Sequence, residues 1–169
     1  MRSNRASTLN ELGRSKEASE VFAEIVASLR KIDPQHPMLE TAESNLAITL
    51  AEIGKLSEGC AIQEKLVTRL EKTRKTSDPR LNHHRYILAS MLNDLERILE
   101  AKVWIDKALT EIEKAVPNDS PQLQNVRATA GQIYTDLGDA VHGRELFRKA
   151  LDATARHLPP NHPMVLKLR

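Results

Sequence analysis

The spacing of the prolines constrains the fold of this chain more than any other feature. Four prolines follow one another at intervals of 42 residues, at positions 37, 79, 121 and 163. Small residues keep nearly the same period at Ala18, Gly59, Ala101 and Gly143, and a turn-forming column runs through Gly13, Gly54, Glu96 and Gly138. A fixed period of this size indicates one supersecondary unit copied in tandem, and such units stack into a solenoid.

The period divides the 169 residues into one continuous array. We predict a single solenoid over 1–169, with a partial repeat at 1–36, repeats at 37–78, 79–120 and 121–162, and the start of a further repeat at 163–169. Both ends fall within a unit and no polar capping helix is visible. We therefore expect the chain to be part of a longer protein, and its uncapped ends to favour self-association.

Each repeat is predicted to be a helical hairpin. The segments between the prolines contain no further helix breaker, so long helices fit there. In the second repeat a first helix is predicted from Met38 to Ile53 and a second from about Leu56 to Thr73, joined by a turn at Gly54. Gly59 is predicted to face Ala47 where the two backbones approach. Asp78 and Ser120 precede helix starts and are expected to be N-caps.

Composition and charge exclude several classes of protein. Aromatic residues are only 3% of the chain, which favours closely packed helices over a β-sandwich. The net charge of +2, with basic and acidic residues interspersed, argues against nucleic acid as a partner. The single cysteine permits no intramolecular disulfide, and we find neither a secretory signal nor a membrane span. A cytoplasmic location is expected.

The repeat resembles a known family. His36-Pro37 leads to Leu46-Ala47, and Asp78-Pro79 leads to Leu88-Ala89, with nine residues between each proline and the first residue of the pair. With the turn Gly54-Lys55 and the ending Arg148–Leu151, this pattern is similar to the tetratricopeptide repeat, in the 42-residue form of kinesin light chains. The resemblance implies an all-α, right-handed superhelical solenoid of antiparallel helical hairpins, in which the first helix of each unit lines a concave groove that binds proteins.

Projecting that groove onto this sequence gives the candidate partner-binding residues. They are Thr41, Asn45, Ile48, Glu52, His83, Tyr86, Ser90, Asn93, Asp94, Asn125, Gln132 and Asp136, with Ser44 and Thr135 beside them. The family's asparagine before the Leu-Ala pair is present at Asn45, whereas Ile87 and Thr129 depart from it.

One column of the groove is acidic throughout, at Glu11, Glu52, Asp94 and Asp136. A carboxylate near a helix C-terminus is disfavoured by roughly 0.3–1 kcal/mol, so four in register need an explanation. One is pairing with nearby cations such as Arg14, Lys55 and Arg97. The other is recognition of a basic or amine-bearing partner segment. The sequence leaves both open.

No catalytic or metal-binding pattern stands out. His36 and His162 occupy equivalent loop positions, and His83 and His84 are adjacent rather than spaced i, i+4 as metal ligands on a helix are. Cys60 has no aligned His or Asp partner and is expected to be buried and inert. Trp104 is expected to pack in the core or on a partly exposed convex patch. We therefore predict no enzyme activity, no catalytic residues, no metal and no cofactor.

The sequence thus predicts a protein–protein interaction scaffold whose groove binds a protein or peptide segment, with neither nucleic acid nor membrane as partner. The alternative is a regulatory or sensor segment of a larger signalling enzyme or transcription regulator. A purely structural role in dimerisation is a third interpretation.

Overall fold

The computed structural model describes residues 2–155. Over this range the chain forms eight α-helices joined by short turns. They are α1 (Arg2–Glu11), α2 (Ser15–Ile32), α3 (Pro37–Glu52), α4 (Leu56–Thr73), α5 (Pro79–Asp94), α6 (Ile98–Ala115), α7 (Pro121–Asp136) and α8 (Ala140–Ala155). The predicted start of a further repeat at 163–169, and His162 before it, lie outside the described residues. No described helix is both long and apolar enough to cross a bilayer.

The helices form an all-α repeat solenoid of hairpins, as the period predicts. By compactness the chain divides into a first unit, residues 1–73, and a second unit that begins at Arg74. In the first unit α2 packs on α1 and α3, and α4 packs on α3; in the second, α6 packs on α5 and α7, and α8 packs on α7. The repeat boundaries and the single continuous array stay predictions.

The regular spacing of the prolines reflects where the first helices begin. Pro37, Pro79 and Pro121 are each the first residue of a helix, where a missing N–H leaves no bond unmade. Asp78 caps α5 as predicted, because its Oδ1 accepts from the backbone N–H of Arg80 at 2.8 Å. Ser120 occupies the N-cap position of α7, as predicted, but its side chain makes no cap hydrogen bond.

The turn column takes the left-handed backbone conformation that its glycines predict. The φ angles are +74° at Gly13, +83° at Gly54 and +89° at Gly138. Glu96 occupies the same column with φ +60°, which is strained for a residue with a Cβ atom. All four turns have a positive φ at this position, so Glu96 adopts the same backbone conformation as the glycines of the other turns.

The small-residue columns lie where two helices touch. A methyl group added at Gly59 would collide with the carbonyl oxygen of Ala47, which confirms the predicted contact between α4 and α3. In the second unit, a methyl group at Gly143 would come within 2.8 Å of the carbonyl oxygen of Gly131. These contacts fix how closely the two helices of each hairpin pack.

A buried charged position, not anticipated from the sequence, recurs in the first helices of successive repeats. Glu43 in α3 is 2% exposed, and its carboxylate accepts hydrogen bonds from Arg30 at 2.7 Å and from Arg69 at 2.5 Å. The positions 42 and 84 residues later hold Arg85 and Arg127, which are 1% and 6% exposed. The same structural position is therefore negative in the first unit and positive in the second.

Candidate functional site

The first helices carry the predicted groove residues on accessible faces. On α3, Asn45 and Ile48 are half-buried, and Thr41 and Glu52 are exposed. Ser44 is 5% exposed, so its inclusion in the groove was wrong: helical geometry turns it toward the core one residue away from Asn45. Of the predicted groove residues on α3, Asn45 and Ile48 line a small cavity of about 130 Å³ in the first unit.

The second unit contains a larger pocket on the equivalent face. It has a volume of about 350 Å³ and lies between the N-terminal halves of α5 and α7, against the C-terminal end of α6. Three of the predicted groove residues, His83, Tyr86 and Asn125, line it together. The contribution of α6 could not be inferred from the sequence, because the resemblance assigns the groove to first helices alone.

Within residues 2–155, the pocket wall is mostly apolar and carries no Asp, Glu, Lys or Arg side chain. Its apolar part comes from Pro79, Ala108, Ile112, Ala115, Val116 and Val126. Its polar part comes from Ser77, Asn82, His83, Gln122 and Asn125, with the ring of Tyr86 between the two. A cavity of this size and character suits one large side chain or a small apolar ligand, oriented by a few polar groups.

The two polar groups of the wall that α5 contributes are constrained by their surroundings. The ring of His83 lies 6.4 Å from the ring of Tyr86, and burial lowers the pKa of its imidazole, which favours the neutral form. Asn82 is buried and its Oδ1 accepts from Arg85 Nη1 at 2.6 Å. Its amide nitrogen is therefore the group that Asn82 can offer to an occupant.

Two members of the acidic column, Glu52 and Asp136, are bonded by neutral amide and hydroxyl groups rather than by cations. In the first unit, Glu52 Oε2 accepts from Asn10 Nδ2 at 3.0 Å and from Ser15 Oγ at 3.3 Å. In the second unit, Asp136 accepts from Asn93 at 2.9 Å and from Gln132 at 2.7 Å. Neutral amides leave the negative charge of both carboxylates in place.

The explanation by local cation pairing is therefore wrong. Each of the three cations pairs instead with a glutamate three residues ahead, at the start of a second helix. The pairs are Arg14–Glu17, Lys55–Glu58 and Arg97–Glu100. The i, i+3 spacing of these pairs is visible in the sequence. It predicts that each cation pairs with the glutamate of its own helix start and not with the acidic column.

The acidic residues of the second unit adjoin the same face as the pocket. Asn93, which bonds Asp136, is next to Asp94 at the end of α5, and Ser90 lies half-buried one turn before. Burial raises the pKa of the Asp94 carboxyl. Among residues 2–155 no side chain pairs with Asp94 or Glu11, so both carboxylates are available to a partner.

No group of three or more His, Cys, Asp or Glu side chains in residues 2–155 could hold a metal ion. Cys60 is buried, as predicted, and Trp104 is half-buried with Lys107 Nζ 4.5 Å from its ring centroid. His84 is buried, whereas His83 lies in the pocket wall with its ring partly buried and partly open to solvent.

The comparisons with known proteins agree with this architecture. A family model described as a tetratricopeptide repeat matches residues 126–163. Among solved structures, the TPR-like repeats of a candidate kinesin light chain from Podosopora anserina superpose with a TM-score of 0.86 at 20% identity, covering 99% of this chain and 80% of that one. Residues 126–163 match the tetratricopeptide repeat (TPR) family, and the chain shares the fold of TPR solenoids.

Two further structures share the TPR fold at lower similarity. BtubC from P. vanneervenii has a TM-score of 0.81 at 16% identity, over 95% of this chain and 65% of that one. PilW, a type IV pilus biogenesis factor, has a TM-score of 0.68 at 19% identity, over 99% of this chain and 65% of that one. A search of curated proteins finds no match. At these identities the solved structures establish the fold alone.

Large apolar side chains are also exposed on the second helices of the second unit. Leu99 and Val103 in α6 are 72% and 53% exposed, and Val141 in α8 is 71% exposed. Leu99 and Val141 are 42 residues apart and so occupy equivalent positions at the starts of second helices. We call Leu99, Val103 and Val141 the second-helix patch, and it is the main alternative surface for a partner in the second unit.

Proposed function

We propose that this chain is a protein-binding scaffold, and that a segment of the partner lies across α5 and α7 of the second unit. The observation that supports this most is the pocket of about 350 Å³, because it joins three independently predicted groove residues to an apolar floor. Pockets of this kind bind one anchoring side chain, while the surrounding polar groups fix its orientation.

The two ends of this face suit different chemical groups. The pocket lies at the N-terminal ends of α5 and α7, whereas Asp94 and Asp136 lie at their C-terminal ends. At 1.5 Å per residue, the eight residues from Tyr86 to Asp94 and the eleven from Asn125 to Asp136 span about 12–16 Å. An extended chain covers that distance in about four residues.

The partner segment that fits this face is therefore short and bipartite. An apolar side chain enters the pocket, and a Lys or Arg about four residues away meets the carboxylates of Asp94 and Asp136. Asn125 and Gln122, at the pocket rim, can bond the backbone of the segment between them. This proposal develops the second interpretation of the acidic column, a role in recognising basic segments.

Selection of peptides from a random display library on the immobilised chain tests the proposal. We expect enrichment of peptides with a large apolar residue separated from Lys or Arg by about four positions. Enrichment of acidic peptides, or no shared pattern, would contradict it.

A pair of variants then tests the acidic end. The double substitution Asp94→Asn with Asp136→Asn should lower the affinity for a selected peptide about tenfold at low salt, since two exposed ion pairs are lost. The loss should shrink as salt is raised. The matched control is Asp152→Asn, which neutralises an exposed carboxylate on α8 and should leave the affinity unchanged.

A further inference from the structure

The pocket of the second unit also has features that determine what kind of group can occupy it. The described part of its wall combines apolar side chains with neutral polar ones and contains no acidic residue, lysine or arginine. Two helices begin beside it, α5 and α7, and one ends there, α6. The negative end of α6 offsets part of the positive ends of α5 and α7, so the helix dipoles favour an anion here only weakly.

Among the described residues of the wall, His83 is the one whose charge changes near neutral pH. On its own helix, its ring lies 5.7 Å from that of His84 and 6.4 Å from that of Tyr86. From α6 the pocket receives only Ala108, Ile112, Ala115 and Val116, and from α7 only Gln122, Asn125 and Val126, none of which titrates. The guanidinium of Arg85, two residues from His83, bonds Asn82 Oδ1 and the Thr76 carbonyl and does not line the pocket.

We propose that this pocket selects an uncharged, largely apolar group, and that neutral His83 is the residue that determines this selectivity. The inference rests on the proposed function, because it names the chemistry of the anchoring group at one end of the same face. A charged group placed here would lose its hydration without gaining an ion pair. A protonated His83 beside an apolar occupant would suffer the same loss, so occupancy and protonation oppose each other.

The direction of the pH effect follows from linkage. Burial already lowers the pKa of His83, and an occupant that removes more water should lower it further. Binding is then strongest above the pKa of His83 in the empty protein and weakens as the pH falls through that pKa. An occupant that leaves the wall exposed to water would show no such dependence.

Three probes of nearly equal shape test the charge preference: benzamide, which is neutral, benzoate, an anion, and benzamidine, a cation. Each is titrated at pH 7.5 into the ¹⁵N-labelled full chain, and the side-chain amide signals of Asn125 and Gln122 are followed by NMR. We expect benzamide to bind at least about tenfold more tightly than either charged probe, the equivalent of about 1.4 kcal/mol. Equal binding of benzoate or benzamidine, or no binding of benzamide, would overturn the proposal.

The role of His83 is tested with benzamide alone, whose charge does not change over the range used. From pH 7.5 to pH 5.0 we expect its affinity for the wild type to fall about fivefold or more. In His83→Phe the pH dependence of benzamide binding should be lost, whatever the affinity at pH 7.5, while the control His142→Phe, on α8, should keep both the wild-type affinity and its pH dependence. An unchanged pH dependence in His83→Phe would refute the assignment.

A direct readout on the wild type does not depend on any variant folding. Saturating benzamide should lower the pKa of His83, followed by its Cε1–H signal, and an unchanged or raised pKa would contradict the proposal. These results are separable from the proposed function. Peptide selection could fail to yield a common pattern while benzamide still binds with the expected preference. That result would contradict the proposed partner segment and support the proposed charge preference of the pocket.

Discussion

Among single residues, Glu43 is the clearest case of a charge that the fold depends on. Its carboxylate is 2% exposed, whereas Arg30 and Arg69, which bond it, have about half of their side chains in solvent. The three residues come from α3, α2 and α4, so one carboxylate joins three helices of the first unit. The arginines can return to water if the pair is broken, but the buried group cannot.

We therefore predict that Glu43→Gln lowers the free energy of unfolding by about 2–3 kcal/mol, because a buried amide cannot bond two guanidinium groups as a carboxylate does. Urea denaturation of the full chain measures this. The matched control Glu24→Gln removes an exposed carboxylate from α2 and should change stability by less than about 0.5 kcal/mol. Equal effects of the two substitutions would show that the three-helix ion pair is unimportant.

At the level of elements, the hairpins depend on how closely two helix backbones approach. Gly59 faces the carbonyl oxygen of Ala47, which belongs to a helix backbone and cannot move aside. Gly131 is less constrained, because two of the three atoms nearest to an added methyl group belong to the Phe147 ring, at 3.1 Å. The same substitution should therefore have different effects at the two sites.

Gly59→Ala is predicted to lower stability by about 1–3 kcal/mol despite the better helix propensity of alanine, since the added methyl group forces α3 and α4 apart. Gly131→Ala is the internal comparison and should lower stability less than Gly59→Ala. Gly143→Leu places a larger side chain at an equally close contact and should lower stability most. Thermal melts of the three variants give this order directly. A Gly59→Ala variant that is more stable than the wild type would contradict the placement of the hairpins.

Over the whole molecule, the sequence predicts the fold better than it predicts the site. The 42-residue period placed the starts of α3, α5 and α7 at Pro37, Pro79 and Pro121, because proline at a helix start is a local property. The left-handed turn at Gly54 was predictable for the same reason. The local structure at a residue type that recurs with the 42-residue period can thus be predicted without knowing which residues pack against it.

Other features needed the three-dimensional arrangement. The column of Glu43, Arg85 and Arg127 keeps its buried position but changes its sign, so a search for repeated residue types does not reveal it. The pocket is formed by three helices, and α6 enters it through Ala108 and Ile112, which look like ordinary core residues in the sequence. The buried side of Ser44 was likewise misjudged, since adjacent helix positions differ by about 100° in direction.

The central claim is that a partner segment binds across the first helices of the second unit. Mapping a selected peptide onto the ¹⁵N-labelled full chain by NMR tests it most directly. The account predicts shifts concentrated in residues 79–94 and 121–136, together with Ala108 to Val116 at the pocket floor. Shifts concentrated instead at the second-helix patch of Leu99, Val103 and Val141, with the pocket signals unmoved, would contradict it.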